Sequence, residues 1–66
     1  MTRYIIPAGT RCKIAPNDDN RPYTPHETTQ DGEGELWPEA SDESVLVIAT
    51  DKWVYRVPKS KVRIEE

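Results

Sequence analysis

No stretch of this chain carries apolar residues at a 3.6-residue spacing over the length of a helix, and this excludes helical bundles from the start. Two runs are apolar over the length of a strand instead: "SVLVIAT", Ser44 to Thr50, and "WVYRV", Trp53 to Val57. Only Asp51-Lys52 separates them. A two-residue hairpin loop there pairs Ile48 with Tyr55 and Leu46 with Val57. Trp53, Tyr55 and Val57 then share one face, and Val54 and Arg56 share the other, which Arg56 marks as facing water.

The same pattern extends outward from this hairpin. "TRYII", Thr2 to Ile6, is β-branched and aromatic and reads as a strand; Pro7 ends it, because proline has no N–H for a ladder. "PAG", Pro7 to Gly9, reads as a turn, and "TRCKIA", Thr10 to Ala15, alternates with Cys12 and Ile14 inward and Arg11 and Lys13 outward. Residues 16–35, "PNDDNRPYTPHETTQDGEGE", show no apolar period and read as one long acidic loop, with Tyr23 its only large apolar group. "ELW", Glu35 to Trp37, reads as a short strand and "PEASDES", Pro38 to Ser44, as a β-turn. After Trp53–Val57, Pro58 stops the ladder, Lys59, Ser60 and Lys61 suit one turn of 3-10 helix, and Val62 and Ile64 begin a last short strand with Arg63 outward.

That ending, "YRVPKSKVRIEE", resembles the end of an SH3-like barrel, where a strand, a proline-initiated 3-10 turn and a closing strand follow in order. Pro58, Ser60 and Val62 match the proline, small polar and apolar positions of that pattern. "IPAGTRCKI" is similar to the first hairpin of such barrels. The resemblance implies an all-β fold: a small five-stranded SH3-like barrel with strands near 2–6, 10–15, 35–37, 44–50 and 53–57, closed against the first strand by 62–64. The acidic-aromatic sequence of peptide-binding SH3 domains has no match after "TRYIIP", and Lys61 replaces the aromatic that often follows the small polar residue. The usual proline-motif groove is therefore not implied.

With 66 residues the chain is expected to form one domain, residues 1–66. The single cysteine, Cys12, excludes an internal disulfide and suits a reducing compartment. It reads as a small buried hydrophobe or, with Arg11 and Lys13 beside it, as a reactive thiol. "MTRYIIPAGT" lacks the apolar core of a signal peptide, and "VLVIA" is too short to span a bilayer, so a soluble cytoplasmic protein is expected.

Charge is unevenly laid out. Residues 1–17 hold Arg3, Arg11 and Lys13 with no acid (+3); residues 18–43 hold nine acids against Arg21 (−8); residues 44–66 hold five basic groups against three acids (+2). A basic frame is broken by an acidic insert.

Catalysis is not expected. Cys12 and His26 meet as nucleophile and base only if the loop folds back over the second strand, and a barrel this small has little room for a substrate pocket. "DGEGE", Asp31 to Glu35, alternates three carboxylates with glycines but lacks a calcium-loop pattern, and His26 with Glu27 and Asp31 is a weaker zinc set; no metal or cofactor is assigned. The expectation is a non-enzymatic protein-interaction module, a small accessory or inhibitor protein of bacterial or phage type. Its contact surface is the acidic loop with Tyr23, Asp31, Glu33, Glu35 and Trp37. Trp37 reads as a lid on the barrel or as an anchor for the partner. The acids, with doublets at Asp18-Asp19 and Asp42-Glu43, also permit mimicry of a nucleic-acid backbone. The alternative is nucleic-acid binding through Lys52, Arg56, Lys59, Lys61 and Arg63 beside Trp53 and Tyr55. Monomer and homodimer both remain open, because an exposed barrel edge can pair with its own copy.

Overall fold

The computed structural model describes residues 2–17 and 22–66. Its strands are β1 (Arg3–Ile6), β2 (Arg11–Pro16), β3 (Thr24–Glu27), β4 (Gly32–Leu36), β5 (Val45–Ala49), β6 (Trp53–Pro58) and β7 (Arg63–Glu65), with 3-10 turns at Pro38–Ala40 and Lys59–Lys61. The seven strands form one antiparallel sheet in the order β3-β2-β6-β5-β4-β1-β7.

β3 lies inside the stretch expected to be a loop, and β4 begins in that stretch and ends in the short strand expected at Glu35–Trp37. β3 runs back along β2, pairing Cys12 with His26 and Ile14 with Thr24. β4 runs back along β1, pairing Ile6 with Gly32 and Tyr4 with Gly34. Between these two ladders, Pro7, Ala8, Gly9 and Thr10 face Thr28, Thr29, Gln30 and Asp31, four residues on each side, so register is kept across the gap. The chain from Arg3 to Pro16 and the chain from Thr24 to Leu36 are thus the two sides of one long ribbon, folded at a corner.

The corner is held by buried polar groups with partners. The Thr10 N–H donates to the Thr28 hydroxyl at 2.9 Å, and both threonine hydroxyls donate to the Pro7 carbonyl, at 2.6 and 2.8 Å. The Gly9 N–H donates to the Thr28 carbonyl and the Thr28 N–H to the Thr10 carbonyl. Gly9 takes φ +81°, a conformation open to glycine and strained for other residues. Asp31 accepts the Ala8 N–H at 2.8 Å. Thr10 and Thr28 are both buried, and a buried hydroxyl without a partner costs about 1–3 kcal/mol, so the two threonines act as a unit.

Folding the ribbon curls the sheet around one core. Ile6 of β1 packs with Cys12, Leu46, Ile48 and Val57, although β1 and β2 are far apart in strand order. Ile48 and Val57 have no solvent exposure. The β5–β6 hairpin has the expected register, Ile48 with Tyr55 and Leu46 with Val57. Neither Asp51 nor Lys52 takes positive φ; the Thr50 hydroxyl accepts the Trp53 N–H at 3.0 Å and stabilises the turn. On the convex face Val47, Ala49 and Val54 form a second apolar cluster under Trp37. Trp37 packs on this cluster, half-buried, and its backbone N–H donates to the Val47 carbonyl at 2.9 Å.

The last strand also behaves as expected in part. The 3-10 turn at Lys59–Lys61 follows Pro58, and β7 pairs with β1. Val62 packs on the core, whereas Ile64 stays 44% exposed. The five-strand expectation is corrected to seven among the described residues, and the expected loop 16–35 holds β3 and most of β4, its residues 18–21 lying outside the described residues. The barrel is not closed: β3 and β7 end the order, and no ladder joins them among the described residues.

The glycines of "DGEGE" explain how β4 reaches β5. A Cβ on Gly34 would lie 2.6 Å from the Ala49 carbonyl oxygen and 2.7 Å from Ile48 Cγ2, whereas one on Gly32 would meet nothing within 4 Å. Gly34→Ala is expected to destabilise the fold by about 1–3 kcal/mol, the usual cost of overpacking. Gly32→Ala should change stability by less than about 1 kcal/mol. Chemical denaturation of the two variants checks this; equal losses would show that β4 does not approach β5 so closely.

Candidate functional site

The convex face carries a cationic cleft at the centre of the β3-β2-β6-β5 part of the sheet. Side chains directly opposite on paired strands share a face. Lys13 lies opposite Arg56 and opposite Pro25, and Val45 lies opposite Pro58. Arg11, two residues before Lys13, is on the same face. These residues line a cleft of about 400 Å³. Arg11 and Pro58 also line a neighbouring depression of about 580 Å³ that includes Thr10, Ser60 and Lys61. No carboxylate lines either one among the described residues.

The cleft's acidic neighbours sit at its margins. Glu27 stands 3.9 Å from Arg11, with both side chains well exposed, so solvent screens the pair. Asp42 lies in the turn before β5. Its carboxylate accepts the Ser44 and Val45 N–H groups, each at 2.8 Å, and the Ser44 hydroxyl at 3.0 Å. These bonds hold its carboxyl below the usual range, and the Arg56 charge adds to the effect. Lys13 and Arg56 therefore face each other as like charges, an arrangement that lowers the stability of a strand pair.

Of the residues expected to bind a protein partner, Glu33 and Glu35 share the outward face of β4, Asp31 and Trp37 lie just beyond its two ends, and Tyr23 lies before β3. Glu33 is held by Arg3 in a two-pronged pair, Nε at 3.0 Å and Nη2 at 2.9 Å, which keeps its carboxyl below the usual range. Asp31 is engaged by the Ala8 N–H, and Trp37 covers the convex cluster. Glu35 on β4 and Tyr23 before β3 are exposed. The doublet Asp18-Asp19 lies outside the described residues.

The five expected nucleic-acid contacts lie on several elements. Arg56 and Lys61 line the two adjoining depressions. Lys52 is in the β5–β6 turn, Lys59 begins the second 3-10 turn, and Arg63 pairs with Glu65 at 3.3 Å on β7. Trp53 and Tyr55 stand on the face opposite Arg56, so the aromatics are not beside the cations. Arg11 and Lys13 were missed as site residues, although their outward alternation in "TRCKIA" was legible. What was missing was the knowledge that β2 lies beside β6.

The ladder brings Cys12 and His26 directly across from each other, the one arrangement a nucleophile–base pair would need. Burial pushes the Cys12 thiol up, away from thiolate. His26 is half-buried on a strand rather than solvated in a loop, and its ring meets that of Tyr55 at 6.4 Å and 58°. Burial also pushes the Tyr55 phenol up. Among the described residues no cluster of His, Cys, Asp and Glu has the arrangement of a metal site, and no helix is long and apolar enough to cross a membrane.

The depressed carboxyls predict acid sensitivity with a definite sign. A carboxyl whose folded pKa lies below its unfolded value of about 3.9 contributes stability above that pH, and the contribution is lost as pH falls through the folded value. Asp42→Asn keeps an acceptor oxygen but cannot titrate. Denaturation midpoints measured between about pH 2 and 5 should fall less steeply with acid in this variant than in the parent; identical slopes would show that Asp42 is not held by its turn. No protein-family model matches the chain, and no match was found among curated proteins or solved structures.

Proposed function

We propose that this protein is a non-enzymatic protein-interaction module that takes an acidic segment of a partner into the cationic cleft of its convex face. The observation that carries the reading is the opposition of Lys13 and Arg56 on adjacent strands, with Arg11 next to them and no carboxylate in the cleft among the described residues. Like charges held together at a cost to the fold are relieved when an anionic ligand arrives. Pro25, Val45 and Pro58 flank the cations with apolar surface, which suits a peptide carrying both carboxylates and apolar side chains. In this reading the frame is SH3-like in its strand–3-10 turn–strand ending, and its binding face differs from the usual proline-motif groove. A bacterial or phage accessory protein acting in the cytoplasm fits the single small domain. The acidic strands β3 and β4 serve the fold first, since Asp31 and Glu33 are already engaged.

Nucleic acid is the second reading, favoured by the way Arg56 and Lys61 adjoin Arg11 and Lys13. It is weakened by the placement of Trp53 and Tyr55 on the other face, where they cannot stack on bases lying along the cations.

Lys13→Glu separates function from stability, because its two expected effects have opposite signs. The variant replaces a like-charge pair by an opposite-charge pair and should raise Tm by about 2–4 °C. It should also weaken binding of a fluorescein-labelled oligoglutamate peptide, read by anisotropy at low salt, by at least about 10-fold. Lys52→Glu makes the same change in net charge outside the cleft and should alter binding by no more than about 2-fold. Equal effects of the two variants, or no binding by the parent, would overturn the cleft. Tighter binding of an oligothymidylate than of the peptide would favour nucleic acid.

A further inference from the structure

The two edges of the sheet are not equivalent. β3 carries Pro25, which blunts an edge because proline has no N–H to offer an incoming strand. β7 ends the other side of the sheet with Arg63, Ile64 and Glu65 and no proline. Arg63 and Glu65 stand on one face of this strand and Ile64 on the other. Ile64 is 44% exposed, one of the few large apolar side chains the fold leaves open, and it sits opposite Tyr4 of β1.

We infer that β7 is a self-recognition edge, and that its partner is a second copy of this chain. The sequence Arg-Ile-Glu is complementary to itself when reversed. Antiparallel pairing of two β7 strands about Ile64 sets Arg63 across from Glu65 of the second copy, twice by symmetry. The same pairing sets the two Ile64 side chains against each other and extends the row begun by Tyr4 and Ile64 across the junction. A parallel or shifted pairing loses this match, since it sets like charges opposite or leaves Ile64 facing a charged residue's position. The internal pairs of Glu65, with Arg63 at 3.3 Å and with Arg3 at 3.5 Å, are exposed and surrender little on being shared. Three residues make a short edge, so the pairing is weak, with a Kd on the order of 0.1–1 mM. No residue of β7 lines the cationic cleft or the depression beside it.

Reciprocal charge reversal tests this. Sedimentation equilibrium of the parent should show the weight-average mass rising from 7.6 kDa toward twice that value as concentration approaches about millimolar. Arg63→Glu alone and Glu65→Arg alone should each dimerise at least about 10-fold more weakly, because each sets like charges opposite in its own pair. An equimolar mixture of the two variants restores both opposite-charge pairs and should recover the association. Circular dichroism of each variant checks that its strands are intact; if either fails to fold, Ile64→Asn replaces the charge variants, with loss of association expected. A parent that stays monomeric, charge variants that associate as well as the parent, a mixture of folded variants that stays dissociated, or Ile64→Asn that still associates would each overturn the inference.

Discussion

The hydrogen-bonded corner at Pro7, Thr10 and Thr28 is the constraint on which the rest of the structure depends. It lets one ribbon serve both halves of the sheet: its β2–β3 half joins β6, and its β1–β4 half joins β5 and β7. A straight ribbon would leave Ile6 and Cys12 in water on separate ends. The bent one brings both onto Leu46, Ile48 and Val57. The Cα radius of gyration, 10.8 Å, matches the roughly 11 Å expected of a folded chain this long, so the curl buries a core even though the barrel stays open.

The same corner arranges the charges. It turns Thr24–Glu27 and Gly32–Leu36 of the acidic stretch into strand, where Glu33 balances Arg3, and Asp31 holds the turn. Of the acids from Glu27 to Glu35, Asp31 and Glu33 are thus spent on the fold. The cations Arg11, Lys13 and Arg56 are gathered where β2 lies beside β6. A protein of net charge −3 presents a positive cleft because the pairing of β2 with β6 sets Lys13 across from Arg56, and no carboxylate lines the cleft among the described residues.

The β5–β6 hairpin, the 3-10 turn after Pro58 and the pairing of the last strand with the first were legible because their residues carry apolar alternation and a proline stop. β3 and the first residues of β4 were not read as strand, because their inward positions are filled by Thr24, His26, Thr28, Gly32 and Gly34 rather than by branched apolar residues; only the end of β4, at Glu35 and Leu36, was. A two-residue period is nonetheless written there in charge. Glu27, Asp31, Glu33 and Glu35 all stand at odd positions, and the even positions from Thr24 to Leu36 carry no acid. Inward glycine is required at Gly34, where the backbone of β5 lies too close for any side chain.

By itself the sequence determined the local grammar: which residues extend, where proline stops a ladder, which face of each strong strand turns to the core, and that one cysteine forms no internal disulfide. Those properties depend on backbone donors and side-chain alternation within a few residues of one another. Only the tertiary structure decided that Thr24–Glu27 and Gly32–Leu36 are returning strands, that Trp37 packs on Val47, Ala49 and Val54, and that Lys13 lies across from Arg56. Each of these depends on pairing between residues far apart in the chain, and that pairing is set by a corner whose hydrogen bonds exist only once both strands are in place.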